Sequence, residues 1–297
     1  MTVPILSTPS ALKNRSQSFL WQGDVENFLY LLPSDPVFDL VITSPPYNLN
    51  KEYENKLDLS DYIKQQSKII RRVAELTKPN GSICWQVGNY IQKGKNVITP
   101  LDIILHPLFE ENNLKLRNRI VWHFGHGLHS KKRFSGRYEV ILWYTKTDNY
   151  KFHLDDVRVP SKYPGKRYYK GPKKGEYSSH PMGKNPEDVW DIPNVKSNHV
   201  EKTAHPCQFP VGLVERLILA LSNQNDLIFD PFAGVGSTGV AAALHGRRFW
   251  GCDIKRNYLR IAKARIDEAL GGMARYRPHD KPIYDHHKSP LSKKPSK

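Results

Sequence analysis

The chain has 297 residues, 39% of them hydrophobic, and shows no apolar run near the ~20 residues that a membrane helix needs. That composition excludes a chain disordered throughout, and three scattered cysteines (Cys84, Cys207, Cys252) exclude a disulfide-stapled miniprotein. Forty-five Lys and Arg against 29 Asp and Glu leave a net charge of +16, which suits a polyanion such as nucleic acid. Met1 to Ser18 hold no apolar leader core, so a soluble, reducing, cytoplasmic setting is expected.

Residues 1–17 are polar and rich in Pro and Ser, and read as a flexible arm. An early strand precedes Gly23-Asp24. Phe38 to Thr43 is mostly apolar and reads as a buried strand. Leu59 to Leu76 has the period of an amphipathic helix, with Ser60 as a candidate cap. A turn is expected at Lys78-Pro79-Asn80-Gly81, then a strand from Gly81 to Val87. Ile120 to Phe124 and Val140 to Thr145 read as two more strands. Further on, Gly212 to Leu221 predicts a helix, Leu227 to Asp230 a strand, Ser237 to Leu244 a helix and Arg248 to Asp253 a strand. Alternating strands and helices predict an α/β layered sheet.

Tyr150 to Asn198 breaks this rhythm. It is rich in Lys, Arg, Tyr, Gly and Pro and has no sustained period. A stretch of that length inside a compact domain is functional or disordered. Interleaved cations and aromatics, Lys166 and Arg167 among them, suit phosphate and base contacts; a variable surface insertion is the plainer reading. From Ala274 to Lys297 the chain is basic, proline-containing and poor in large apolar residues, and reads as a disordered tail.

Two loops carry chemistry. Asp230-Pro231-Phe232-Ala233-Gly234-Val235-Gly236-Ser237-Thr238-Gly239 follows a predicted strand and opens a predicted helix. Gly234, Gly236 and Gly239 satisfy G-x-G-x-x-G, and Asp253 ends the next strand, where a ribose-binding acid is expected. A carboxylate at Asp230 would repel a pyrophosphate but suits an amino group. S-adenosylmethionine, with its ammonium, sulfonium and ribose diol, therefore fits better than NAD, with Asp230 for the ammonium and Asp253 for the hydroxyls. No Lys follows the last glycine, which disfavours a phosphate loop for ATP. The second loop is Thr43-Ser44-Pro45-Pro46-Tyr47, where two prolines stiffen the backbone and remove two amide donors. What remains is acceptor-rich: the Ser44 hydroxyl and the carbonyls of Ser44 and Pro45, beside the flat ring of Tyr47. Such a corner suits an exocyclic amine of a nucleobase.

Together the two loops resemble the paired motifs of the DNA amino-methyltransferases, which methylate N4 of cytosine or N6 of adenine. The catalytic motif (Ser44, Pro45, Pro46, Tyr47) precedes the cofactor motif by nearly 190 residues. That order resembles the family's beta-type permutation. The resemblance implies a Rossmann-like methyltransferase sheet with helices on both faces and an irregular target-recognition insertion. It divides the chain into a catalytic part (18–149), the insertion (150–200) and a cofactor-binding part (201–273). His205-Pro206-Cys207-Gln208-Phe209-Pro210 resembles the segment that leans on the methionine end of the cofactor. The implied cofactor set is Asp24, His205, Pro206, Phe209, Asp230, Phe232, Gly234, Gly236, Thr238 and Asp253. Asp24 either faces the cofactor adenine or merely makes a surface turn. Ser before Pro-Pro-Tyr resembles the N4-cytosine enzymes more than the adenine enzymes, which stay open. Double-stranded DNA is the implied substrate and a restriction endonuclease cutting the same site an implied partner, without a stable complex; a solitary regulatory role fits the same residues.

Cys207 sits in a Pro-Cys-Gln triplet like that of the cytosine-C5 enzymes, but it precedes the glycine loop and no Glu-Asn-Val follows, so it reads as structural. His123, His126 and His129 lack a carboxylate or cysteine to complete a metal site. Their loop, with Lys131, Lys132, Arg133 and Arg137, suits DNA phosphate instead, and aromatics near Trp122 are expected to wall the base pocket. An RNA or small-molecule methyltransferase, an NAD-dependent oxidoreductase and a non-catalytic nucleic-acid binder are the competing readings.

Overall fold

A computed structural model describes residues 2–10, 17–47, 58–91, 97–125, 127 and 129–282. In chain order the elements are β1 (Ile5–Leu6), β2 (Phe19–Gln22), α1 (Val25–Tyr30), β3 (Phe38–Thr43), α2 (Leu59–Leu76), β4 (Thr77–Val87), β5 (Asn89–Ile91) and β6 (Ile98–Pro100). There follow α3 (Leu101–Glu110), β7 (Lys115–His123), β8 (Tyr138–Thr145), β9 (Val189–Asp191), α4 (Val211–Leu221), β10 (Leu227–Asp230), α5 (Ser237–Leu244), β11 (Arg248–Asp253) and α6 (Arg256–Leu270).

Nine strands form one sheet in the order β1-β2-β11-β10-β3-β4-β8-β7-β9, and β5 pairs with β6 apart from it. β8 is antiparallel to both neighbours; every other pairing in the sheet is parallel. Successive strand residues point to opposite faces. Phe38, Val41, Ile83, Trp85, Phe229 and Trp250 pack toward α1, α2 and α3. Leu40, Ile42, Cys84, Ile228 and Phe249 pack toward α4, α5 and α6. Because both faces are covered, β3 and β10 read as nearly continuous apolar runs rather than alternating ones.

Several expectations need correction. The arm expected over residues 1–17 includes β1, which pairs with β2, and the Val3 amide donates to the Asp267 carboxylate at 2.8 Å; residues 11–16 lie outside the described residues. The helix over 59–76 is preceded by Asp58 at the cap position, and Ser60 sits within its first turn. The expected turn at residues 78–81 is a bulge inside β4, where the strand swells opposite Asp39 and Lys78 reaches back to that carboxylate at 2.9 Å. The tail does not loosen at Ala274. Arg277 and His279 donate their backbone N–H groups to the buried Glu201 and Glu215, at 3.0 and 2.8 Å. Residues 283–297 of that tail lie outside the described residues.

The stretch from Tyr150 is pinned to the sheet at both ends. Val157 and Trp190 are buried in the α4-side core, and β9 extends the sheet beside β7. Between them, Lys166 to Ser178 folds back on itself as a small hairpin, with Arg167 opposite Tyr177.

Candidate active site

β3 and β10 are neighbours, with Val41 beside Phe229. From β3 the chain crosses by α2 to β4 on one side; from β10 it crosses by α5 to β11 on the other. Loops leaving the carboxyl ends of two such strands diverge and open a crevice between them. The two sequence motifs are those loops, so residues almost 190 positions apart are brought together by one strand pairing.

Asp230 ties the loops from beneath. The Thr43 hydroxyl donates to its Oδ1 at 2.7 Å, the Thr238 hydroxyl to Oδ2 at 2.6 Å, and the Phe232 amide to Oδ1 at 3.1 Å. Asp230 is only 1% exposed. Burial pushes its carboxyl up to about 6 against the pull of these hydrogen bonds. The protein's own hydroxyls thus take both oxygens of Asp230, and Asp230, Gly236 and Thr238, expected at the cofactor, are not among the residues of the cavity wall.

The cavity between the loops measures about 730 Å³. Ser44, Pro45, Pro46 and Tyr47 form one wall; Phe232 and Gly234 form another, with Asp24, Asp253 and the segment His205 to Phe209 completing it. Asp253 accepts the Gly234 amide at 2.9 Å and the Lys255 amide at 2.7 Å. Its backbone carbonyl takes the Gly23 amide at 3.0 Å, which holds Asp24 beside it. Asp24 caps α1 through the Asn27 amide at 3.0 Å. Cap and cavity-wall position are compatible. Burial raises the Asp253 carboxyl above its ordinary range. Gly234 and Gly236 have φ of +50° and +77°, a region that side-chain-bearing residues avoid. The His205 ring meets Tyr258 edge-on at 4.6 Å, both on the wall.

At the other end the Ser44 hydroxyl lies 3.2 Å from the Tyr47 hydroxyl. Tyr47 donates to Glu139 Oε2 at 3.3 Å, and Gln86 Nε2 donates to the same oxygen. The Tyr47 ring lies against Gly88, where a β-carbon would come within 3.0 Å of it. Glu139 and Gln86 were not foreseen. Each is a polar position on a core strand with no motif around it, and its inward aim is visible only once β4 and β8 are paired. Trp122 and Phe124 do line the cavity.

The β7–β8 ladder continues through Phe124 and Arg137, and the loop beyond presents Lys131, Lys132 and Arg133, all exposed, with Phe134 fully exposed beside them. Lys166 and Arg167 lie on the hairpin, away from the cavity wall; the Arg167 guanidinium stacks 3.9 Å over Tyr177. Among the described residues no group of three His, Cys, Asp or Glu could hold a metal, and His126 lies outside them.

A glycine loop on a parallel-sheet crevice, with two wall carboxylates and a flat apolar residue in Phe232, suits a cofactor bearing a ribose diol, an ammonium and an adenine. A Ser-Pro-Pro-Tyr corner on the same cavity makes this the site of a nucleoside-cofactor-dependent group transferase. Residues 38–264 match the DNA methylase family model for N6 and N4 methyltransferases. The chain is 47% identical over 254 residues to the Type II methyltransferase M.BglII of Bacillus subtilis, covering 86% of this chain and 70% of that one. It therefore belongs to the family of DNA amino-methyltransferases of restriction–modification type, and S-adenosylmethionine is its methyl donor. The crystal structure of TTHA0409 from Thermus thermophilus, complexed with S-adenosyl-L-methionine, is 26% identical with a TM-score of 0.60, covering 85% of this chain and 96% of that one. The fold is also that of the PvuII DNA methyltransferase (cytosine-N4-specific), at 21% identity and a TM-score of 0.66, covering 86% and 92% of the two chains.

Proposed function

We propose that this enzyme methylates N4 of cytosine in double-stranded DNA, in a site-specific manner, on a base extruded into the cavity. The observation that carries the reading is that Ser44 and Gly234, from motifs far apart in the chain, line one cavity. A base stacked in a duplex cannot reach that depth, so it must leave the stack.

Ser44 and the Pro45 carbonyl hold the amine by its hydrogens. Those bonds draw the nitrogen toward sp³ geometry and localise the lone pair that the aromatic ring otherwise delocalises. The two prolines keep the corner rigid and leave its acceptors free of backbone amides. Tyr47 gives the base a flat wall. Asp24, Asp253, Phe232, Gly234 and the segment His205 to Phe209 hold the donor, and Asp230 acts indirectly, by fixing both loops. S-adenosylmethionine, when bound, supplies an electrophilic methyl group on a sulfonium. Positioning two bound reactants contributes about 7–11 kcal/mol in favourable cases, and no covalent enzyme intermediate is required. The cytosine assignment is supported by Ser44 itself: a neutral hydroxyl can donate to cytosine N3, which an anionic carboxylate in its place would repel.

Lys131, Lys132, Arg133 and Arg137 at the cavity rim, and Lys166 and Arg167 on the hairpin, take DNA phosphate; residues 150–200 read the target sequence. The enzyme works in the cytoplasm beside an endonuclease that cuts the same site. Transfer of a labelled methyl to duplex DNA, followed by nucleoside analysis, tests the proposal. N4-methylcytosine is expected. N6-methyladenine would overturn the base assignment, and transfer to RNA but not DNA would overturn the substrate.

A further inference from the structure

Glu139 belongs to neither motif, yet it stands on the wall of the same cavity as Ser44. It sits opposite Trp122 across the β7–β8 ladder. Its Oε2 is held by two donors, Tyr47 and Gln86. Its Oε1 accepts no hydrogen bond among the described residues and lies 3.3 Å from the point where a β-carbon on residue 88 would be. Glycine at 88 thus leaves room both for this oxygen and for the Tyr47 ring. Through the Tyr47 hydroxyl the carboxylate is one step from Ser44 Oγ.

We propose that Glu139 accepts, at Oε1, the proton that the target amine sheds on methylation, while Gln86 and Tyr47 hold the carboxylate in place. The inference rests on the methyltransferase reading above. In the step, the amine nitrogen forms the N–C bond as the C–S bond breaks, its electron pair passing to sulfur. Nitrogen then carries one proton too many, and that proton moves to Glu139, leaving a neutral methylamine and a carboxylic acid. Ser44 and the Pro45 carbonyl are neutral oxygens and poor proton sinks. Asp253 has each oxygen on a backbone amide, and Asp230 is sealed beneath the loops. Among the described residues, the side chains facing Glu139 are Tyr47 from the loop after β3, Gln86 from β4 and Trp122 from β7, with Tyr62 of α2 next to Tyr47. None is cationic. Burial accordingly raises the proton affinity of Glu139, against the hydrogen bonds from Gln86 and Tyr47.

The test is single-turnover methyl transfer across pH on a duplex carrying the target. Wild type is expected to show a rate that climbs with pH as Glu139 ionises. Glu139→Gln should lose that limb and slow transfer by about 100-fold, the lower end of general-base contributions. Gln86→Leu removes a donor to the carboxylate, so its limb should move to higher pH. Infrared titration of the free enzyme gives a readout without turnover: a carboxylic acid band is expected to be missing in Glu139→Gln and to persist to higher pH in Gln86→Leu. Donor binding by calorimetry confirms that each variant is folded. An active wild type beside a Glu139→Gln variant of equal rate and pH profile would sink the inference alone. A wild type that transfers no methyl to DNA would instead sink the function it rests on.

Discussion

Asp230 is a buried acid that ties together the two segments carrying the motifs. Its two oxygens take Thr43 from the end of β3 and Thr238 from the helix after the glycine loop. Burial raises its pKa from 3.8 to about 6, so the native state binds this proton more tightly than the unfolded chain does. Its contribution to stability is complete below about pH 4 and is lost as pH rises toward 6. Asp230→Asn has no such titration. The melting temperature of wild type should therefore fall more between pH 4.5 and pH 7 than that of Asp230→Asn, and equal falls would remove Asp230 as a source. Asp253 and Ser44 should separate by readout. Asp253→Ala loses a wall carboxylate and the acceptor that shapes Gly234; donor affinity is expected to drop by about tenfold or more, roughly one charge-assisted hydrogen bond. Ser44→Ala should leave donor affinity almost unchanged in the same titration while transfer falls about 100-fold, comparable to the loss of one preorganised polar group at a reacting centre.

At the scale of elements, the glycine loop works because α5 lies close against its neighbours. A β-carbon at Gly239 would stand 2.4 Å from Ile266 Cδ1 of α6 and 2.7 Å from the Phe249 ring of β11. Gly239→Ala must push α5 or α6 outward, and overpacking of that kind costs about 1–3 kcal/mol. Chemical denaturation should show the loss, and donor affinity should fall with it because α5 carries Ser237 and Thr238 of the loop. Which elements could be read from sequence follows from how each is buried. β3, β10 and β11 are covered on both faces and stand out as apolar runs; α2 has one apolar face and one wet one. By contrast α3 contains Pro107, an ordinary breaker, and α6 is dense in charge, its buried stripe reduced to Tyr258, Leu259, Ala262, Ile266 and Ala269. β9 is three residues long inside an irregular stretch and exists only because β7 offers it an edge. The motif loops were legible since their residue types are chemically specific, whereas Glu139 and Gln86 depend on a strand pairing that no local pattern encodes.

For the molecule as a whole, the net charge of +16 matters through where it falls. Phe124 and Glu139, on either side of the loop joining β7 to β8, line the cavity, and that loop, the rim proposed above to face DNA, carries three adjacent exposed cations, Lys131, Lys132 and Arg133. β7 runs away from this rim, and nine residues in extended backbone place Lys115 roughly 26 Å from His123. Lys115 is paired there with Asp148 at 2.7 Å. If the rim faces DNA, each cation neutralising a phosphate releases condensed counterions and adds about 0.9 to the slope of log affinity against log salt. Replacing Lys131, Lys132 and Arg133 together by Ala should reduce that slope by about 2–3, weakening binding to specific and non-specific duplexes alike. Lys115→Ala removes one charge at the far end of the strand and should leave the slope unchanged. Fluorescence anisotropy over a range of salt reads both variants. Equal slopes for wild type and the triple variant would mean that DNA approaches the cavity from another side, and a loss in Lys115→Ala of about one third of the triple variant's would mean that charge acts through the whole surface rather than at the rim.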